Sequence, residues 1–221
     1  MTTEIDFEQA RLNMIEQQIR TWGVLDQNVL DLLDLIHRED FVPADYRQLA
    51  FADTNIPLAN NQVMMTPKLE ARLLQAVAVH EEDKVLEIGT GSAYLTALLA
   101  KSCQNVDSID NFKNFVDEAK IKLEKYGLVN ARLSHAGALS DWQSESEYDV
   151  IVITGSVLEL DSKLQQQLTA GGRMFVVIGE SPVMEARLIT RMNDGQFNSE
   201  ALFETELPAL IGVHEPSSFE L

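Results

Sequence analysis

Apolar residues in the first 80 positions recur three or four residues apart, the spacing that predicts amphipathic helices. Asp26 precedes one of these faces and is a good N-cap residue. Residues 53–67 are rich in Asn, lack a period and predict an extended loop. We therefore predict that residues 1–80 form a helical cap. Its three apolar faces are Phe7, Ala10 and Met14; Val29, Leu30, Leu33 and Ile36; and Leu69, Leu73, Leu74 and Val77.

Beyond residue 83, short apolar runs alternate with helical patterns. The predicted strands cover residues 84–88, 106–109, 131–134, 150–153, 174–178, 186–192 and 202–210, and the predicted helices cover 94–101, 112–126 and 163–168. Strands that alternate with helices form βαβ units, and continuous apolar runs are typical of a parallel sheet covered on both faces. The pattern predicts a doubly wound, Rossmann-like α/β core over residues 81–221, with the cap in the same domain.

Composition excludes several classes of protein. The 221 residues carry a formal charge of −18, which repels nucleic acids and anionic membranes. No long apolar run or basic leader is visible, so we expect a cytoplasmic protein. Cys103 is the sole cysteine, and the four histidines lack ligand spacing, so we expect neither a disulfide nor a metal site.

The most informative motif is a small-residue turn between a predicted strand and a predicted helix. Gly89, Gly91 and Ala93 form the pattern GxGxA, which allows a ligand to approach the backbone closely. Asp110 follows at the end of the next predicted strand. A carboxylate at that position can accept hydrogen bonds from both ribose hydroxyls of a nucleoside cofactor.

Two nucleotide cofactors compete for this motif. A dinucleotide site usually has GxGxxG and holds a pyrophosphate at the helix N-terminus. Here Glu87 lies two residues before Gly89, and its negative charge would oppose a pyrophosphate. The same charge favours a cofactor with an amino group and a sulfonium, namely S-adenosyl-L-methionine. We therefore favour a methyltransferase over a dehydrogenase that binds NAD.

Longer segments resemble the protein-L-isoaspartate (D-aspartate) O-methyltransferases. The matching segments are residues 14–43 (MIEQQIRTWGVLDQNVLDLLDLIHREDFVP), 50–58 (AFADTNIPL), 85–100 (VLEIGTGSAYLTALLA) and 168–179 (LTAGGRMFVVIG). The resemblance implies S-adenosyl-L-methionine binding by Glu87, Gly89, Gly91 and Asp110. It also implies methylation of the free carboxyl group of L-isoaspartyl residues, a step of protein repair, with a peptide or protein as the acceptor.

Two departures from the family pattern concern the reacting groups. Met65 occupies the position of the family serine that lies beside the acceptor carboxylate, and Thr66 offers the nearest hydroxyl. Gly137 occupies the position of the aspartate in the family's GDG motif, so the adenine amine would need a backbone carbonyl or water. Thr154 matches a family segment that borders the substrate cleft. We treat Thr66 and Met65 as candidate catalytic positions, Gly137 as a cofactor position and Thr154 as a substrate position.

The expected chemistry makes few demands on the protein. A carboxylate with a pKa of about 4 is already ionised at neutral pH and needs no general base. Positioning it near the methyl group supplies most of the effect. Two alternatives remain open: a methyltransferase of the same fold with another acceptor, and a protein that binds the cofactor without turnover.

Overall fold

A seven-stranded sheet forms the centre of the chain, in the spatial order β5-β4-β3-β6-β7-β8-β9. The computed structural model describes residues 6–136 and 146–212. The sheet strands are β3 (Lys84–Ile88), β4 (Asn105–Asp110), β5 (Ala131–His135), β6 (Tyr148–Val157), β7 (Leu168–Glu180), β8 (Val183–Arg191) and β9 (Phe197–Glu204). The five strands β5, β4, β3, β6 and β7, which are adjacent in this order, run parallel. Strands β8 and β9 are antiparallel to their neighbours.

The described helices are α1 (Phe7–Met14), α2 (Gln27–Leu35), α3 (Pro67–Val77), α4 (Tyr94–Ser102), α5 (Lys113–Lys125) and α6 (Ser162–Gln166). A separate two-stranded sheet pairs β1 (Ile56–Pro57) with β2 (Val63–Met64). The predicted doubly wound α/β architecture is confirmed by this arrangement. Asp26 caps α2 as predicted, because its side chain accepts a hydrogen bond from the backbone N–H of Asn28.

Each central strand is buried on both faces, which explains the continuous apolar runs in the sequence. Successive side chains of a strand point to opposite faces. In β6, Val150 and Val152 belong to one core cluster, and Ile151 and Ile153 belong to the other. Buried residues of α1, α2 and α3 lie in the first cluster together with β3 and α4, so the N-terminal helices share a core with the sheet.

Two parts of the prediction differ from the structure. Residues 53–67, predicted as an extended loop, also contain β1 and β2, which have two residues each and are too short to show a period. The last strand begins at Phe197 and ends at Glu204, rather than covering residues 202–210. It is the edge strand, with exposed polar residues such as Ser199 and Glu200. Its first half therefore lacks the apolar run from which the other strands were predicted.

A buried ion pair within the cap joins Arg38 to α3 and fixes the segment before that helix. Arg38 is fully buried, and its Nη1 atom donates to the carboxylate of Glu70, which is also buried. The other guanidinium donors reach the carbonyl oxygens of Ala50 (2.8 Å) and Met65 (2.6 Å). Burial raises the pKa of Glu70 to about 7, against the opposing effect of Arg38. The backbone at Met65 is therefore fixed by a cation in the core.

We expect Arg38→Met to lower the free energy of unfolding by about 3–5 kcal/mol, because it leaves the Glu70 carboxylate buried without its partner. Urea unfolding measures this loss. The double variant Arg38→Met/Glu70→Met should recover most of it, because both charges are then absent. Arg47→Met, a control on the surface, should change stability by less than about 1 kcal/mol. Equal losses in the single and double variants would contradict this account.

Candidate functional site

The glycine loop, residues 89–91, connects the end of β3 to the beginning of α4. Gly89 has a φ angle of +100°, and a Cβ atom there would overlap the Oγ1 atom of Thr154. No other residue fits this position without displacing Thr154. The loop therefore presents bare backbone at the carboxyl edge of the parallel sheet, where ligands bind in folds of this type.

Asp110 ends the neighbouring strand β4 and contacts the glycine loop. Its Oδ2 atom accepts a hydrogen bond from the backbone N–H of Gly91 at 2.9 Å. Its Oδ1 atom accepts one from the N–H of Phe112 at 2.8 Å. Burial raises the pKa of Asp110 above its ordinary value, and these backbone hydrogen bonds oppose the rise. Thr90 supplies a third backbone hydrogen bond, and a carboxylate has about four lone-pair sites, so acceptor capacity remains for a ligand.

An irregularity in β6 brings Thr154 to the same loop. Between Val152 and Ser156, three residues of β6 lie opposite one residue of β7, which bends the strand. The hydroxyl of Thr154 lies 2.9 Å from the carbonyl oxygen of Ile88 and 2.8 Å from that of Gly89, and donates to them. Thr154 therefore holds the glycine loop, although it also faces the opening described next.

Two small openings flank the glycine loop, with cavity volumes of about 30 Å³ and about 60 Å³. Both are lined by Gly89 and Asp110. The first continues along an apolar wall that includes Ile109 and Ala136. The second reaches the cap, and its lining includes Gln62 as well as Thr154. Gln62 is thus a polar side chain of the site to which the sequence analysis assigned no role.

The openings are narrow because residues 207–211, here called the crossing segment, run across them. The N–H of Ser156 donates to the carbonyl oxygen of Pro208 at 2.9 Å, and the N–H of Leu210 donates to that of Ser156 at 2.8 Å. A Cβ atom on Gly155 would lie 2.9 Å from the Cα atom of Leu210, so this close approach requires glycine. Part of this segment was predicted as a strand, and its position over the site was not predicted.

Glu87 lies beneath the glycine loop rather than in the openings. Its side chain has no exposed surface, and its Oε2 atom accepts hydrogen bonds from the hydroxyls of Thr96 and Ser108, each at 2.5 Å. Burial raises the pKa of Glu87 to about 8, although the two hydroxyls lower it. The carboxyl group is therefore mostly protonated at neutral pH. The negative charge that the sequence analysis placed beside the cofactor is largely absent.

The two candidate catalytic positions lie at the start of α3 but line neither opening. Met65 is 5% exposed and belongs to the first core cluster. The Oγ1 atom of Thr66 accepts a hydrogen bond from the backbone N–H of Leu69 at 3.3 Å, so Thr66 caps the helix. The structure brings together Gly89, Gly91, Asp110 and Thr154, whereas Gly137 lies outside the described residues.

Within residues 6–136 and 146–212, three or more His, Cys, Asp or Glu side chains nowhere come close enough to hold a metal ion. None of the helices in that part of the chain combines the length and the apolar character that crossing a membrane requires.

Sequence comparison gives a consistent result. The profile of the family described as protein-L-isoaspartate(D-aspartate) O-methyltransferase matches residues 9–211. A protein-L-isoaspartate O-methyltransferase from Petrotoga mobilis is 34% identical over 197 residues, which cover 89% of this chain and 92% of the relative. The enzyme of the same name from Koribacter versatilis is 33% identical over 206 residues, which cover 93% of this chain and 92% of the relative.

Solved structures share the fold at lower identity. A protein-L-isoaspartate O-methyltransferase from Plasmodium falciparum, in complex with S-adenosyl-L-homocysteine, superposes with a TM-score of 0.77 at 18% identity. The aligned region covers 95% of this chain and all of that chain. The sequence relatives and the matching profile, which spans most of the chain, confirm the family predicted from the sequence. The chain belongs to the protein-L-isoaspartate (D-aspartate) O-methyltransferase family.

Proposed function

We propose that the protein transfers a methyl group from S-adenosyl-L-methionine to the free carboxyl group of L-isoaspartyl residues in damaged proteins. Membership of the family gives the reaction. The observation that carries the proposal for this chain is the pairing of Asp110 with the glycine loop. The carboxylate of Asp110 is fixed by backbone hydrogen bonds, and the bend at Gly89 has no room for a side chain. Both lie at the carboxyl edge of the sheet.

The residues around this edge fit the cofactor. The carboxylate of Asp110 would accept hydrogen bonds from the ribose hydroxyls, and the wall with Ile109 and Ala136 would contact the adenine ring. The backbone at Gly89 and Gly91 would lie against the methionyl part. Gly137 remains a predicted contact of the adenine amine. When bound, the cofactor supplies an activated methyl group and a neutral leaving group.

Entry of a nucleoside requires the openings to widen. Ligand pockets for such molecules have volumes of roughly 300 Å³ or more, and the two openings are far smaller. The crossing segment is held at Ser156 by two backbone hydrogen bonds and by the packing of Leu210 against Gly155. We infer that it moves outward when the cofactor binds.

The chain's task at the acceptor is to position a carboxylate that is already ionised. Gln62 lies in the second opening, and we propose that its amide group orients the acceptor. Thr66 remains a second candidate, because capping uses an oxygen lone pair and leaves the hydroxyl proton free. Met65 contributes no polar group and is proposed to shape the wall behind them.

A second candidate function is methylation of a different acceptor. The observation that favours it is Met65, a core residue without a hydroxyl where the family has a serine. Cofactor binding without turnover is the further alternative. We propose that the acceptor is a carboxylate of a peptide or protein. A nucleic acid is not expected as a partner, because the chain has a charge of −18. We propose the cytoplasm as the location, because the cofactor and damaged proteins are both present there.

Glu87 has a supporting role in this proposal. Its hydrogen bonds join β3 to Ser108 of β4 and Thr96 of α4, so it fixes the three elements that meet under the glycine loop. We infer that it shapes the cofactor site as a neutral acid. The stability of the folded protein should then depend on pH through the protonation of Glu87.

Incubation with an isoaspartyl peptide and radioactive cofactor should give a labelled, base-labile methyl ester. Asp110→Asn should weaken cofactor binding by at least about tenfold, because one oxygen becomes an N–H group facing backbone donors. Calorimetry measures binding, and the matched control Asp117→Asn on the surface of α5 should bind normally. Absence of labelling at saturating cofactor would refute the isoaspartyl acceptor, and normal binding by Asp110→Asn would refute the cofactor site.

Two variants test the acceptor side. Gln62→Ala should lower kcat/KM for the isoaspartyl peptide by about tenfold without changing cofactor affinity, because an orienting hydrogen bond is lost. Gln104→Ala on the surface is the control. Met65→Ser should raise the same kcat/KM, since it supplies the hydroxyl that the family has at this position. An unchanged rate in Gln62→Ala would contradict its role, and new isoaspartyl activity only in Met65→Ser would favour the second candidate function.

Stability should depend on pH through Glu87. Its pKa of about 8 in the folded protein is above the ordinary 4.5, so the folded state binds this proton more tightly than the unfolded chain. The contribution is fully present below pH 4.5 and is lost as the pH rises through about 8. Between about pH 5 and about pH 8.5, the Tm of the unchanged protein should therefore fall more than that of Glu87→Gln.

The control for this measurement is Glu118→Gln, an exposed glutamate of α5, whose Tm should follow that of the unchanged protein. Glu70, whose pKa is also raised, is present in all three proteins and cancels from the comparison. Parallel Tm curves for Glu87→Gln and the unchanged protein would show that Glu87 is ionised in the folded state.

A further inference from the structure

A second concave surface lies at the other end of the sheet from the glycine loop. This cap groove has a volume of about 560 Å³ and lies between α2, the end of α3, residues 79–82 and the last turn of α4. Residues 79–82 precede β3, whereas the glycine loop follows it. Five residues of strand span about 17 Å, so the cap groove cannot take part in methyl transfer.

The cap groove has an apolar floor. Val29, Leu32 and Leu35 of α2 are spaced three residues apart and line it along the helix. Leu74 and Val79 line the facing side. Leu35 is 53% exposed, which is unusual for a leucine that extends an apolar strip. Exposed apolar strips with polar rims commonly mark surfaces that bind other proteins.

The rim is acidic. Four carboxylate side chains lie along it, from Asp26, Asp31, Glu81 and Glu82. Neither Glu81 nor Glu82 forms an ion pair within the described part of the chain. The C-terminus of α4 also faces the groove and adds partial negative charge. Among the described lining residues, Lys101 is the one Lys or Arg, and His80 is the one histidine. The electrostatic potential of the groove therefore favours a cationic ligand.

We propose that the cap groove binds an amphipathic helix of another protein that has leucine-like residues on one face and Lys or Arg beside them. The apolar face would cover Leu32 and Leu35, and the cations would meet the rim carboxylates. The floor along α2 is nine residues long, or about 13.5 Å. About two and a half helical turns of the partner would fill it.

Charge disfavours a second copy of this chain and its two terminal segments as occupants. A second copy carries a charge of −18 and would bring more carboxylates to an acidic rim. Residues 213–221, VHEPSSFEL, contain two Glu and neither Lys nor Arg. Residues 1–5, MTTEI, contain one Glu and no Lys or Arg. A cationic segment from another protein is the occupant with complementary charge.

The probe is a fluorescein-labelled peptide of about 14 residues with leucines at i, i+3, i+4 and i+7 and lysines elsewhere. Fluorescence anisotropy with the full-length chain should give a micromolar Kd at low salt. The double variant Glu81→Lys/Glu82→Lys should weaken binding by at least about tenfold. Leu35→Ser, at an exposed position that the fold does not need, should weaken it by about fivefold.

The matched control is Glu200→Lys/Glu204→Lys, which makes the same change in charge on the exposed edge strand β9. It should bind within about twofold of the unchanged protein. Equal weakening by both double variants would show general charge attraction and overturn the proposal. So would equal binding of a peptide with glutamate in place of lysine, a Kd unaffected by Leu35→Ser, or binding only by dimers in sedimentation.

Discussion

The bend after β3 is the constraint on which the site depends. Gly89 can adopt its backbone conformation only because it lacks a side chain, since Thr154 occupies the space a Cβ atom would need. Thr154 in turn reaches the loop because β6 contains extra residues opposite β7. Asp110 then holds the far side of the loop at Gly91. Three neighbouring strands therefore define one rigid bend before any ligand arrives.

Two buried acids near this bend have different roles. Asp110 accepts backbone N–H groups and borders the openings, so it is available to a ligand. Glu87 is enclosed, accepts two hydroxyls and has a pKa near 8, so it acts as a neutral structural group. The environment of each carboxyl group, rather than its distance from the loop in sequence, decides which one can meet the cofactor.

Much of the fold could be predicted from the sequence because apolar runs and helical spacing reflect burial directly. Strand β3 was predicted at its observed bounds, and the glycine loop and Asp110 were identified from their context. The burial of Glu87 could also have been predicted from the sequence. In a strand Glu87 shares a face with Val85, which points into the cluster that contains α4. This alternation was not considered when a charged Glu87 was predicted beside the cofactor.

Other parts of the site could not be predicted, because they depend on long-range contacts. The crossing segment is placed by Ser156, some fifty residues earlier in the chain, and no local pattern reports that pairing. The role of Arg38 is similar, since a cation in the core is visible only through its partners, which lie 12, 27 and 32 residues further along the chain. Gln62 enters the site because β1 and β2 pair, and those strands are too short to give a signal.

The central claim is that the bend and Asp110 together form the cofactor site. A crystal structure of the protein with S-adenosyl-L-homocysteine tests it most directly. The account predicts both ribose hydroxyls on the Asp110 carboxylate, the adenine ring against Ile109 and Ala136, and the crossing segment displaced from Gly155. A ligand found elsewhere, or none at saturating concentration with Asp110 bonded only to backbone N–H groups, would contradict it.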